Sequence, residues 1–176
     1  GGGGAGTLAI QLARLAGAEV TAVDSGAKLD GMRAAGADHV LDYSRADFTA
    51  TDVRYDHILD VVANRPLRHF ARALAPGGSL AMIGGTPGTL LKVATIGPLL
   101  GLATGTSLRL VIHRPMIAEL ERLGELCVAG QVRPVIDSRF ALADIRDAAA
   151  RFASGQFIGK VVIVVDPALA GESEAA

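Results

Sequence analysis

A single cysteine in 176 residues, Cys127, leaves no partner for an internal disulfide. No CxxC or Cys/His spacing accompanies it, so no zinc is expected in this segment. Cys127 reads as a small apolar residue on a helix, and so few thiols suit a reducing, cytoplasmic setting. Lys/Arg clusters are also missing, and the net charge is −1, which argues against nucleic acid or an anionic membrane as a partner. The longest uncharged stretch, Val93 to Leu108, falls short of the ~18–20 residues of a membrane span and is broken by Gly97, Pro98, Gly101 and Gly105. There is no signal peptide in the residues as given and no internal repeat. No Ser/His/Asp triad or carboxylate pair can be argued, so no catalytic residue is assigned.

What is present is a chain half apolar and evenly charged, the composition of a folded domain with a small appendage. Gly1-Gly2-Gly3-Gly4-Ala5-Gly6 opens into a helical pattern carrying Leu8, Leu12 and Leu15 and stopped by Gly17. A strand over Ala18 to Val23 ends in Asp24. A short helix over 27–35 closes at Gly36, and His39 to Leu41 forms the next strand. Further strands are expected at Ile58 to Val62 and at Ser79 to Ile83. Between them lies a helix over Leu67 to Leu74, with Arg68 and Arg72 outward, ended by Pro76-Gly77-Gly78. After Gly85 a Gly/Leu-rich stretch, read as a buried or interfacial loop-helix region, leads to a strand at Leu108 to Ile112. A helix over Met116 to Val128 should face Ile117, Leu120, Leu123 and Leu126 or Cys127 inward. A short strand near Val135-Ile136, a helix from Ala143 to Phe152 and a strand from Lys160 to Val165 follow, and the tail from Pro167 reads as disordered. Strand alternating with helix predicts an α/β fold with a parallel sheet.

Gly1, Gly3 and Gly6 satisfy G-x-G-x-x-G. The first allows a tight turn, the second a close approach to a pyrophosphate, and the third tight helix–sheet packing. Helix N–H groups and the macrodipole favour the phosphate charge there, which makes Gly1, Gly3, Gly4, Ala5 and Gly6 cofactor candidates. Asp24, about 20 residues on at the end of the next strand, is placed to take ribose hydroxyls. The strand that should precede Gly1 is not in the sequence. A sheet without that central strand would leave backbone unpaired on both sides, so the chain reads as a fragment entered at its glycine turn.

From Gly1 to about Asp166 the chain resembles the C-terminal half of the medium-chain dehydrogenase/reductase superfamily, in particular its zinc-free, quinone-oxidoreductase-like branch, which includes the reticulon-4-interacting-protein type. The segments that carry the resemblance are GGGGAGTLAIQLARLAGAEVTAV, LDGMRAAGADHVLDY, YDHILDVV, RALAPGGSLAMIGG and GQVRPVIDSRFALADIRDAAARFASGQFIGKVVIVV. The resemblance implies a Rossmann-type doubly wound sheet over residues 1–130, lacking its first strand. Residues 131–166 would then return to a catalytic domain whose remainder lies elsewhere, followed by a tail at 167–176. It further implies hydride transfer between NAD(P) and a carbonyl, quinone or enone, a small-molecule partner, and a homodimer as an open option.

The choice of cofactor is divided. Asp24 suits NAD, whereas Ser25, Lys28 and Tyr43 resemble the S-x-x-K plus distant Tyr arrangement that holds the 2′-phosphate of NADP in relatives, and the balance leans slightly to NADP. Nicotinamide contacts are expected at strand ends, at Val62-Ala63 and Gly84-Gly85, and the apolar residues Leu90 to Leu108 would line a substrate pocket or a subunit contact. Among the histidines, His39, His57 and His69 read as structural or solvated, while His113 follows a strand toward the site. Asp60 reads as bonding nearby backbone. Two other readings stand beside the oxidoreductase: a non-catalytic truncated nucleotide-binding domain, and an S-adenosylmethionine-dependent methyltransferase, which also pairs a Gly-rich turn with an acidic strand end.

Overall fold

A computed structural model of the chain describes residues 1–62, 65–111 and 116–166. Ala63, His113 and the tail from Pro167, with the roles expected for them, lie outside the described residues. The elements are α1 (Gly4–Leu15), β1 (Thr21–Asp24), α2 (Leu29–Ala34), β2 (His39–Asp42), β3 (Tyr55–Asp60), α3 (Leu67–Ala73), β4 (Leu74–Met82), α4 (Pro87–Thr104), β5 (Ser107–Leu110), α5 (Ile117–Val128), β6 (Ile136–Ala141), α6 (Ile145–Ala153) and β7 (Lys160–Val164). Short 3₁₀ turns precede α2 and α6 and follow β2. Every strand pair among the described residues is parallel, as the alternation of strand and helix demands.

Two compact units result. Among the described residues, one comprises Gly1–Ala46 together with those from Ile117 to Asp166, and the other those within Asp47–Met116. In the first, β1 pairs with β2 from Thr21↔His39 to Asp24↔Asp42, and β6 pairs with β7. Its core is Ile10, Ala22, Met32, Ala35 and Ala37, packed by Val135 and Ile158 from the end of the chain. In the second, the sheet runs β3-β4-β5 over a core that includes Phe70, Leu80, Met82, Val93 and Leu108.

Several boundaries and faces differ from the sequence expectation for identifiable reasons. Strand β1 starts at Thr21 because Ala18 and Val20 are otherwise engaged: the Ala18 N–H closes α1 onto the Ala13 carbonyl, and the Val20 N–H goes to the Asp38 carboxylate. Helix α1 buries Thr7 and Ile10 and leaves Leu12 and Leu15 exposed; Leu12 instead lines a shallow groove with Leu123 and Leu126 of α5. Strand β3 ends at Asp60, whose carboxylate turns the chain by accepting the Val62 N–H at 3.0 Å. Pro76-Gly77-Gly78 does not separate helix from strand. It forms an irregularity inside β4, where Gly77 takes φ +81° and the register against β3 shifts. Helix α5 buries no residue fully, and Ile117 and Leu120, expected inside, are exposed.

The Gly/Leu-rich stretch is the long helix α4. Thr86 caps it by accepting the Thr89 N–H, Pro87 occupies its first turn, and Gly105 ends it at φ +67°. Gly97 and Gly101 serve packing: a Cβ on either would press on the carbonyls of Leu108 (3.0 Å) or Thr106 (2.6 Å), so their absence lets the helix lie against β5. None of the described helices is long and apolar enough to cross a membrane.

Candidate functional site

The opening glycines form a built turn. Gly3 is the N-cap of α1, and the first backbone bond within the helix runs from the Thr7 N–H to the Gly3 carbonyl at 2.9 Å. The N–H groups ahead of Thr7 therefore lie outside the helical ladder, at the positive end of the dipole. Gly6 has its hydrogen against the Gly1 carbonyl, where no side chain fits. Around Gly3 the space is open, with nothing within 4 Å of a would-be Cβ. A tight first turn, an accessible second glycine and a crowded third are what a pyrophosphate turn requires.

Asp24, Ser25, Lys28 and Tyr43 come together beside this turn. The Asp24 carboxylate accepts the Ser25 N–H (2.8 Å) on Oδ1 and the Gly2 N–H (2.8 Å) on Oδ2, where the Gly1 amino group also lies at 3.0 Å. Lys28 Nζ is 3.4 Å from Oδ1. Burial alone would push this carboxyl up, but the N–H groups of Ser25 and Gly2 and the Gly1 ammonium outweigh it and bring its pKa down to about 2. Tyr43 donates its backbone N–H to the Asp24 carbonyl (3.1 Å) and leaves its ring exposed.

Val62, Gly84 and Gly85 belong to the other unit. Gly84 lies against the Val61 carbonyl, 2.6 Å from where a Cβ would stand, and Gly85 takes φ +139°. The Ile83 N–H bonds the Asp60 carbonyl, which ties the ends of β3 and β4 together. His39 pairs with Glu19 at 2.7 Å, His57 with Ser79 at 2.8 Å, and His69 is half-buried on α3. No three His, Cys, Asp or Glu side chains converge among the described residues, so these residues offer no zinc donor set.

The final strand brings residues that spacing did not single out. The Gly159 N–H donates to the Gly2 carbonyl at 2.8 Å, and Gly159 bridges Gly3 in parallel. Lys160 extends over the start of α1, its Nζ 2.7 Å from where a Cβ on Gly4 would stand. It makes no ion pair among the described residues. Phe157 places its ring 5.5 Å from Lys28 Nζ. The available signal was the segment GKVVIVV itself, which reads as a strand and carries part of the family resemblance, though neither points to Lys160.

The family model for zinc-binding dehydrogenases matches residues 35–163. The chain belongs to that family. Among curated relatives, it is 30% identical to the chloroplast envelope quinone oxidoreductase homolog of Arabidopsis thaliana, across 92% of this chain and 49% of that protein. It is 27% identical to the mitochondrial NAD(P)H oxidoreductase RTN4IP1 of Danio rerio, across 94% and 47%. The solved quinone oxidoreductase of Coxiella burnetii superposes with a TM-score of 0.78 at 25% identity, covering 94% of this chain and 50% of that structure. The chain thus spans about half the length of the relatives it matches, and its α/β fold with parallel sheets corresponds to their Rossmann-like nucleotide-binding half. Dehydrogenase membership sets aside the methyltransferase reading.

Proposed function

We propose that this chain is the coenzyme-binding part of an NAD(P)H-dependent oxidoreductase that moves hydride between nicotinamide and a carbonyl, quinone or enone. The observation that carries the reading is the α1 turn. It is open at Gly3, has N–H groups ahead of Thr7, and is flanked by Asp24, Lys28 and Lys160. The turn and Lys160 would hold the pyrophosphate, and Asp24, Ser25, Lys28 and Tyr43 the adenosine ribose with its 2′-substituent. When bound, the coenzyme supplies the reactive hydride, and the protein's share is orientation and exclusion of water.

NADP is the favoured coenzyme. Both Asp24 oxygens are occupied by N–H groups and cations, which lowers the repulsion a 2′-phosphate would meet. The names of two relatives carry chloroplast-envelope and mitochondrial designations, and such organelles stand beside the cytosol as the reducing compartment.

Thermal unfolding of the chain with NADPH, NADH or S-adenosylmethionine tests the reading. A nicotinamide nucleotide at a hundred times its Kd should stabilise the fold by about 2.7 kcal/mol, and S-adenosylmethionine should do nothing. A Tm unchanged by both nicotinamide nucleotides would remove the coenzyme site.

A further inference from the structure

Lys28 is the proposed 2′-phosphate ligand, yet it is not an unattached lysine waiting in solvent. Its stem lies across Gly2, with Cδ 2.7 Å from where a Cβ would stand, and its side chain is 11% exposed. The ammonium sits between two partners of different character: the Asp24 carboxylate at 3.4 Å and the face of Phe157, 5.5 Å to the ring centroid. A carboxylate cancels the cation, whereas a ring quadrupole attracts it and leaves its charge available. Phe157 is itself held in place. Phe152 stacks on it at 5.1 Å with 26° between the rings, the Ile158 N–H donates to Asp137 Oδ1 (3.1 Å), and the Gly159 N–H donates to the Gly2 carbonyl.

We propose that Phe157 is a positioning residue for coenzyme choice: its ring face shares the Lys28 ammonium with Asp24 and holds it beside the glycine turn, ordered for the 2′-phosphate of NADPH. The inference rests on the reading of Asp24 and Lys28 as the ribose end of the coenzyme site. Without the ring, Lys28 loses one of the two partners that hold it, and its side chain must be ordered again on binding. NADH has a hydroxyl where NADPH has the phosphate and gains nothing from this cation.

The test is fluorescence titration of the full chain with NADPH and with NADH. Phe157→Leu keeps the apolar volume and removes the quadrupole. It should raise the NADPH Kd about three- to tenfold while the NADH Kd stays within about twofold, and Phe157→Tyr should restore the original preference. In a Lys28→Gln background, Phe157→Leu should add nothing further. Equal weakening of both nucleotides, or a Tyr variant as impaired as the Leu variant, would show that the ring only packs. If Phe157→Leu does not fold, Phe152→Ala, which removes the backing of the ring, should give the same NADPH-selective loss, and a non-selective loss overturns the proposal. Lys28→Gln separates this inference from the reading beneath it. Should that variant weaken both nucleotides alike, the ribose-phosphate assignment falls. Should it select against NADPH while Phe157→Leu does not, only the role of Phe157 falls. No saturable binding of either nucleotide by the unaltered chain overturns both.

Discussion

Two lysines at the glycine turn lie at different ends of the proposed coenzyme and should be separable. Lys160 stands over the first residue of α1, where the proposal puts the pyrophosphate that NADPH and NADH share. Lys28 lies beside Asp24, at the end of the turn proposed to hold the ribose, where the two differ. Lys160→Met should therefore weaken both nucleotides by a similar factor, on the order of tenfold for one charge-assisted contact, whereas Lys28→Ala should raise the NADPH Kd much more than the NADH Kd. Isothermal titration of the two variants decides the matter, and a nucleotide-selective effect at Lys160 would be incompatible with a pyrophosphate role. Lys28 stood out in the sequence because Ser25, Lys28 and Tyr43 resemble the S-x-x-K plus distant Tyr arrangement of NADP-binding relatives. Lys160 did not, because its contact spans nearly the whole chain and no local spacing announces it.

The elements differ in how plainly their residues declared them. Helix α2 and strand β2 stand where periodicity and Gly36 put them, and α3 turns Arg68 and Arg72 outward as expected. Helix α4 was obscured by its composition. Apolar residues on all sides give it no polar face to read, and its glycines look like breaks until Gly97 and Gly101 are seen against β5. The same lack of a polar face leaves Leu99 and Leu102 at 70% and 85% exposure. The inward face of α5 was misread because amphipathic spacing identifies a stripe but not how deeply it is covered. The cap of α4 is testable by itself: Thr86 accepts the Thr89 N–H at 3.3 Å, so Thr86→Ala should cost about 1 kcal/mol in urea unfolding. Thr86→Asn should cost far less, and equal losses would exclude capping as the cause.

At the scale of the molecule, acid should act through the unit that holds the glycine turn. Asp137 is gripped by Arg151 through two bonds of 2.8 and 2.7 Å and accepts the Ile158 N–H. The Arg151 contact leads in drawing its pKa down to about 2, the same level as Asp24. Both carboxyls are depressed below the ordinary 3.8, so their stabilisation is fully present above about pH 4 and is lost as pH falls toward 2. With allowance for partial solvent screening, each contributes about 1–2 kcal/mol. Denaturation at pH 7, 4 and 2.5 should show the loss confined to the last interval and reduced in Asp137→Asn. A flat profile down to pH 2.5 would contradict both assignments.

The bond from the Gly159 N–H to the Gly2 carbonyl also makes one amide a clock. Its proton can leave for solvent only when the last strand lifts from the glycine turn, so the deuterium uptake of Gly159 times that opening. A nucleotide seated on the turn should slow the uptake by the factor with which it favours the closed form. A tail-end amide would then report, site by site, on a coenzyme bound at the opposite end of the sequence.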